Sequence, residues 1–157
     1  MPAKTANISA TIEIAAPPEL VWAVLADLAS YPEWNPVFRE VSGQLTPGKR
    51  ITIESTQPET GHTMTIKVKV LTAEPPAELR WGSSVLGLMT SEHSFILSPT
   101  SGGTRLVQTQ TYRGLFTRFP PKTVRRIQAS FEAINQAIKQ RAELMHERDI
   151  WRRPGKG

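Results

Sequence analysis

Apolar and polar positions alternate along most of this chain, and the places where the alternation stops divide it into elements. Ile8, Ala10, Ile12 and Ile14 interleave with Ser9, Thr11 and Glu13, the period of two expected of a strand with one buried face. Pro17-Pro18 ends that strand. Proline is tolerated in a first helical turn and Glu19 suits the positive end of the helix dipole. A short helix is therefore predicted next, with Leu20, Val21, Val24, Leu25 and Leu28 on one face and its end before Tyr31-Pro32. Residues 31–36, YPEWNP, form a proline-punctuated turn whose two aromatics are placed to cover a sheet edge.

Six further strand-like runs follow in succession. Residues 37–43 are the least regular; residues 49–56 put Ile51 and Ile53 on one face; residues 64–72 put Met64, Ile66, Val68 and Val70 inside and Lys67 and Lys69 outside. After Pro75-Pro76, Leu79, Trp81 and Ser83 share a face, as do Met89, Ser91, His93, Phe95 and Leu97. Residues 98–103 are predicted to be a hairpin loop, after which Leu106, Gln108, Gln110 and Tyr112 line one face of the last strand. From Pro121 to Met145 the spacing turns helical through Val124, Ile127, Phe131, Ile134, Ile138 and Ala142, which predicts a helix about 35 Å long. Its other positions, Arg125, Arg126, Glu132, Gln136, Lys139 and Glu143, are expected to face water. Residues 146–157 carry no such period and are expected to be a frayed basic tail.

Composition narrows the chemistry. A chain of 157 residues is expected to form one domain, here residues 7–145, burying about two-thirds of its unfolded surface without a metal or disulfide staple. The absence of cysteine excludes thiol nucleophiles and thiolate metal sites and fits a reducing, cytoplasmic setting. No apolar run is long enough for a membrane span, and the first residues lack the apolar stretch of an export signal. The net charge of +5 collects on the last helix and tail, where a solvated helix face is the simplest reading.

The pieces PPELVWAVLADLASYPEWNP, the G-x-L-x-x-G turn from Gly43 to Gly48, LRW at residues 79–81, HSFILSP at residues 93–99 and GGTRLVQTQTYRG ending at Gly114, in this order, resemble the START-like helix-grip superfamily (SRPBCC), in particular its polyketide cyclase/dehydrase-like proteins. The resemblance spans residues 7–145. It implies an α+β fold in which a seven-stranded curved antiparallel sheet wraps around a long C-terminal helix, with two short helices after the first strand. It also implies an internal apolar cavity of the kind that holds lipids, sterols, polyketides or plant hormones in relatives. It implies no single reaction, since many relatives only bind.

Inward polar residues are the informative ones, because a buried polar group without a partner costs about 1–3 kcal/mol. If the hairpin closes tightly across residues 98–103, His93 lies opposite Gln108 and diagonal to Gln110, with Tyr112 farther along the same face. His93 and Tyr112 are thus the candidates for proton-transfer chemistry; the alternative is a core histidine satisfied by Gln108. The resemblance associates the Gln110 position with an acidic residue, and the amide here cannot titrate, which favours binding over catalysis. The candidate ligand-binding residues are Leu79, Trp81, His93, Phe95, Gln108, Gln110, Tyr112, Phe131 and Asn135, together with Leu115, Phe116 and Phe119 as either a lid or a plug. No nucleophile elbow, metal-ligand spacing, phosphate loop or basic–aromatic interleaving is present, so no cofactor, metal or nucleic-acid partner is expected. The expected function is binding, transport or sequestration of a small hydrophobic ligand. A cofactor-free cyclase or dehydratase and a protein-partner module using the basic helix are the alternatives, and the choice between monomer and dimer is open.

Overall fold

The computed structural model describes residues 4–57, 60–115 and 117–152. Seven strands, β1 (Lys4–Ile14), β2 (Phe38–Gly43), β3 (Arg50–Thr56), β4 (Thr63–Glu74), β5 (Glu78–Val85), β6 (Met89–Thr100) and β7 (Gly103–Gly114), form one antiparallel sheet in the order β1-β7-β6-β5-β4-β3-β2. Helix α1 (Pro18–Ala26), a single 3-10 turn (Leu28–Ser30) and helix α2 (Tyr31–Trp34) lie between β1 and β2, and helix α3 (Pro121–Arg152) closes the chain. This is the helix-grip arrangement expected from the order of elements. Among the described residues no helix is long and apolar enough to cross a membrane.

Three sequence expectations are adjusted. The hairpin loop over residues 98–103 shrinks to Ser101 and Gly102, because Pro99 pairs with Thr104 and Thr100 with Gly103. His93 therefore faces Gln110, and Gln108 faces Phe95. A slip of two residues preserves every inward face, which is why the faces were legible although the pairing was not. Second, α3 continues to Arg152 rather than ending at Met145, so residues 146–152 are helical; residues 153–157 lie outside the described residues. Third, Lys139 and Glu143 do not simply face water. Gln128 Nε2 donates to Ser9 O (2.9 Å), Lys139 Nζ to Glu13 O (3.0 Å) and Ala15 N to Glu143 Oε1 (2.8 Å). The edge strand β1 thus finds partners for free backbone groups on α3, which removes an exposed edge.

Topology decides where the interior is full. Because β1 ends and β6 turns into β7 at one end of the sheet, α1 packs at that end, against α3, β6 and β7. There Val21, Val24, Leu25 and Leu28 meet Leu97, Leu106, Ile134 and Ile138 in the main core. Tyr31 is buried in the same core, its hydroxyl donating to Leu25 O (2.7 Å), while Asn35 Oδ1 accepts from the backbone of Val37 and Phe38 and starts β2. At the opposite end, where β3 turns into β4 and β5 into β6, none of the described short helices lines the interior. A second, smaller cluster of Ile8, Ala10 and Phe131 packs beneath α3, apart from the main core.

The closed end depends on a close approach. Gly103 has φ +145°, and a Cβ there would collide with Ile14 O and Ala16 N, beside the Thr104 hydroxyl that donates to Ala16 O (2.7 Å). Gly103→Ala is expected to destabilise the fold by about 1–3 kcal/mol or more in urea unfolding. A loss below about 0.5 kcal/mol, the range of neutral surface changes, would contradict this account of the junction.

Candidate ligand cavity

The end of the sheet that α1 does not reach holds a cavity of about 750 Å³ between the sheet and residues 123–133 of α3. Its volume falls in the range of small-molecule sites. The wall is mainly apolar: Val37, Phe38, Ile53, Ile66, Val68 and Trp81 from the sheet, Ile127 and Phe131 from the helix. Ile53, Ile66, Val68 and Trp81 point inward because they occupy alternate positions of paired strands, with Ile53 opposite Ile66 and Trp81 opposite His93. Polar side chains interrupt that apolar wall at Ser55, Gln57, Ser83, Ser91, His93, Gln110, Tyr112, Thr123 and Ser130. Arg126 also borders the cavity and is already engaged by a neighbouring group.

His93 is the chemical centre of this wall. It is 4% exposed and sits in a cage of four rings. Trp81 stacks on it at 5.3 Å between centroids and 15° between planes, while Phe95 (4.8 Å), Phe131 (5.1 Å) and Phe38 (5.9 Å) meet it at steeper angles. Its Nδ1 lies 2.7 Å from Gln110 Oε1. A carbonyl oxygen only accepts, so Nδ1 carries the proton and Nε2 keeps its lone pair. That Nε2 is buried without a hydrogen-bond partner, and so is Gln108 Oε1. Burial pushes the imidazole from its ordinary 6.5 down to about 4, opposed by the Gln110 and Gln108 side chains, which favour the protonated ring. The ring is neutral across the physiological range.

The sequence candidates separate into two groups. Trp81, His93, Gln110, Tyr112 and Phe131 border the cavity. Leu79, Phe95, Gln108 and Asn135 are buried in the packing beside it. Gln108 Nε2 donates to Asn135 Oδ1 (2.8 Å) and Asn135 Nδ2 to Ala10 O (3.1 Å), so this amide pair ties α3 to β7 and β1. The proposed lid divides as well. Leu115 is 69% exposed and Phe119 packs on Tyr112 at 4.7 Å, while Phe116 lies outside the described residues. Neither Leu115 nor Phe119 lines the cavity wall described above. Burial also raises the Tyr112 phenol above its usual value, leaving it protonated. Among the described residues no group of His, Asp and Glu is arranged to hold a metal.

Several wall residues, among them Phe38, Ile66 and Ile127, were not sequence candidates. Phe38 was hidden by a register shift between Phe38 and Glu40, which breaks the alternation of β2 so that Phe38 and Val41 both face inward. Ile66 and Ile127 are legible as inward, but an inward apolar position reads the same whether core or cavity lies beyond it.

The His93 ring makes stability pH-dependent with a definite sign. Its folded pKa is depressed, so as pH falls from 6.5 toward about 4 the unfolded chain takes up a proton that the folded chain refuses. Stability is full above 6.5 and is expected to fall by about 3 kcal/mol across that window. Denaturant titrations of the parent chain and His93→Gln at a series of pH values check this. The variant is expected to lose that part of the slope, and identical slopes would contradict the assignment.

Residues 5–143 match the family described as polyketide cyclase / dehydrase and lipid transport. Among solved structures, the chain is similar to a START superfamily protein from Mycobacterium smegmatis, at 18% identity and TM-score 0.71 over 88% of this chain and 98% of that one. It is also similar to protein CV1439 from Chromobacterium violaceum, at 19% identity and TM-score 0.69 over 87% and 97%. A third similar structure is the di-domain ARO/CYC StfQ from the steffimycin biosynthetic pathway, at 16% identity and TM-score 0.74 over 91% of this chain and 52% of that one. A comparison with curated proteins finds no match. The family match covers nearly the whole chain and the neighbours repeat its fold, so the chain belongs to the polyketide cyclase / dehydrase and lipid transport family, with a START-like fold.

Proposed function

We propose that this protein binds and carries a small, uncharged, largely apolar molecule in the cavity between its sheet and α3. The observation that carries this reading is the wall itself: about 750 Å³ bounded mostly by aliphatic and aromatic side chains, with a neutral histidine among them. Apolar burial supplies non-directional affinity, and a few polar groups orient the ligand. The Gln110 and Tyr112 side chains suit a hydroxyl or carbonyl at one end of such a molecule. A ligand carboxylate finds no charge on the His93 ring. The family description includes lipid transport, which agrees with a carrier role.

A cofactor-free cyclase or dehydratase is the second reading, and one observation favours it. The His93 imidazole is unprotonated at neutral pH and its residue forms part of the cavity wall. Against it, Gln110 cannot orient or relay a proton as a carboxylate does, and the low basicity of the ring weakens it as a proton acceptor.

Filling the cavity tests the first reading. Ile127→Trp puts a larger ring into the space beneath α3, and is expected to lower affinity for a neutral apolar fluorescent probe such as N-phenyl-1-naphthylamine by tenfold or more, about 1.4 kcal/mol, while the melting temperature stays nearly unchanged. Unchanged affinity would overturn the cavity as the binding site. His93→Gln is expected to keep probe affinity within about tenfold. A substrate whose turnover falls about 10²-fold in that variant while binding persists would decide for the enzyme.

A further inference from the structure

We infer that the cavity end of the molecule docks reversibly on an anionic lipid surface. The turn between β5 and β6 presents Leu86, 89% exposed, and Leu88, 45% exposed; beside it stands Leu115, 69% exposed. Leu115 N donates to Leu88 O (3.1 Å), and Met89 pairs with Gly114, so these leucines form one apolar tip rather than scattered exposures. The tip adjoins the cavity: Met89 and Tyr112, which line it, follow Leu88 and precede Gly114 by one and two positions.

Leu86 breaks two local rules at once. It holds φ +53°, a left-handed conformation in which glycine or asparagine is favoured, and it buries almost nothing. Neither backbone preference nor core packing accounts for a leucine here, and a residue that violates local rules without a fold-level return points to function.

Charge selects the partner. Residues 113–131 contain no Asp or Glu, and Arg113, Arg118, Lys122 and Arg125 are exposed there without an ion pair among the described residues. Lys122 and Arg125 lie in the opening turns of α3, where the helix dipole favours anions and no acidic side chain is present. An apolar tip flanked by cations matches the acyl and phosphate layers of an anionic bilayer. Single-stranded nucleic acid prefers stacking aromatics, and the tip offers leucines. Docking by this end would bring the cavity to the surface from which an apolar ligand is taken or to which it is returned.

The test is co-sedimentation of the full chain with vesicles of neutral phosphatidylcholine and of phosphatidylcholine with about 30 mol % phosphatidylglycerol, at low and high salt. Binding is expected only to the anionic vesicles and to weaken as salt rises. Leu86→Asn suits the left-handed backbone, so it removes the apolar group without a conformational cost; combined with Leu115→Ser it is expected to lower the partition coefficient tenfold or more at an unchanged melting temperature. Arg118→Gln with Lys122→Gln is expected to lower it on anionic vesicles alone. Absence of anionic-vesicle binding by the parent chain, or binding that all four substitutions leave intact, would overturn the inference. So would a concentration-dependent dimer that Leu86→Asn abolishes, which would assign the tip to a second copy of the chain. Docking stands or falls apart from the cavity reading, because uptake of the neutral probe without vesicles is expected to be equal in the Leu86→Asn variant and the parent.

Discussion

One helix cannot cover seven strands, and the rest of the structure follows from that mismatch. At about 4.8 Å between strands the sheet is roughly 29 Å across, whereas a helix with its side chains is about 10–12 Å wide. Curvature lets the sheet close on α3 in part, and the helix is held where the edge strand β1 most needs partners, through Gln128, Asn135, Lys139 and Glu143. The remaining inward surface must be covered by something else. At one end α1 and the turn through Tyr31 supply it. At the other end the described residues offer no further element: none lies between β3 and β4 or between β5 and β6, and β7 is followed by α3 itself. The cavity is the volume this topology leaves unfilled.

The polar groups near that volume fall into two roles. Gln108 and Asn135 use their amides on each other and on Ala10 O, and sit where α3 meets β7 and β1. Losing such a pair leaves buried donors and acceptors stranded, which makes it structural. His93 is different: one nitrogen is satisfied by Gln110, the other has no partner, and four rings surround it. A group kept neutral by burial and left with an open lone pair costs stability. Retaining it at a cavity wall is consistent with an interaction made when the cavity is occupied.

Period-two alternation made most of the sheet and its faces legible, including the inward placement of Trp81, His93, Gln110 and Tyr112. What it missed has local causes. Pro99 argued for a loop, yet β5 pairs with β6 only as far as Ile96, so at Pro99 the side without an N–H faces no neighbour and the strand continues. The end of α3 was invisible because an apolar stripe stops where the sheet stops, while Glu, Arg and His in HERDIWRR let a solvated helix run on. The cavity itself was legible as a class and not in its boundaries. Phe38 was masked by a bulge, and Leu79 and Phe95 share the inward period with true wall residues but fall at the end that α1 fills. Alternation reports which face a residue occupies, and it does not report what stands opposite.

Native mass spectrometry of the purified chain after incubation with a mixed extract of neutral lipids tests the central claim most directly. The account predicts a discrete one-to-one adduct of a neutral apolar molecule, displaced by N-phenyl-1-naphthylamine and lost in Ile127→Trp. A spectrum of bare chain only, or adducts retained when the cavity is filled, would contradict it.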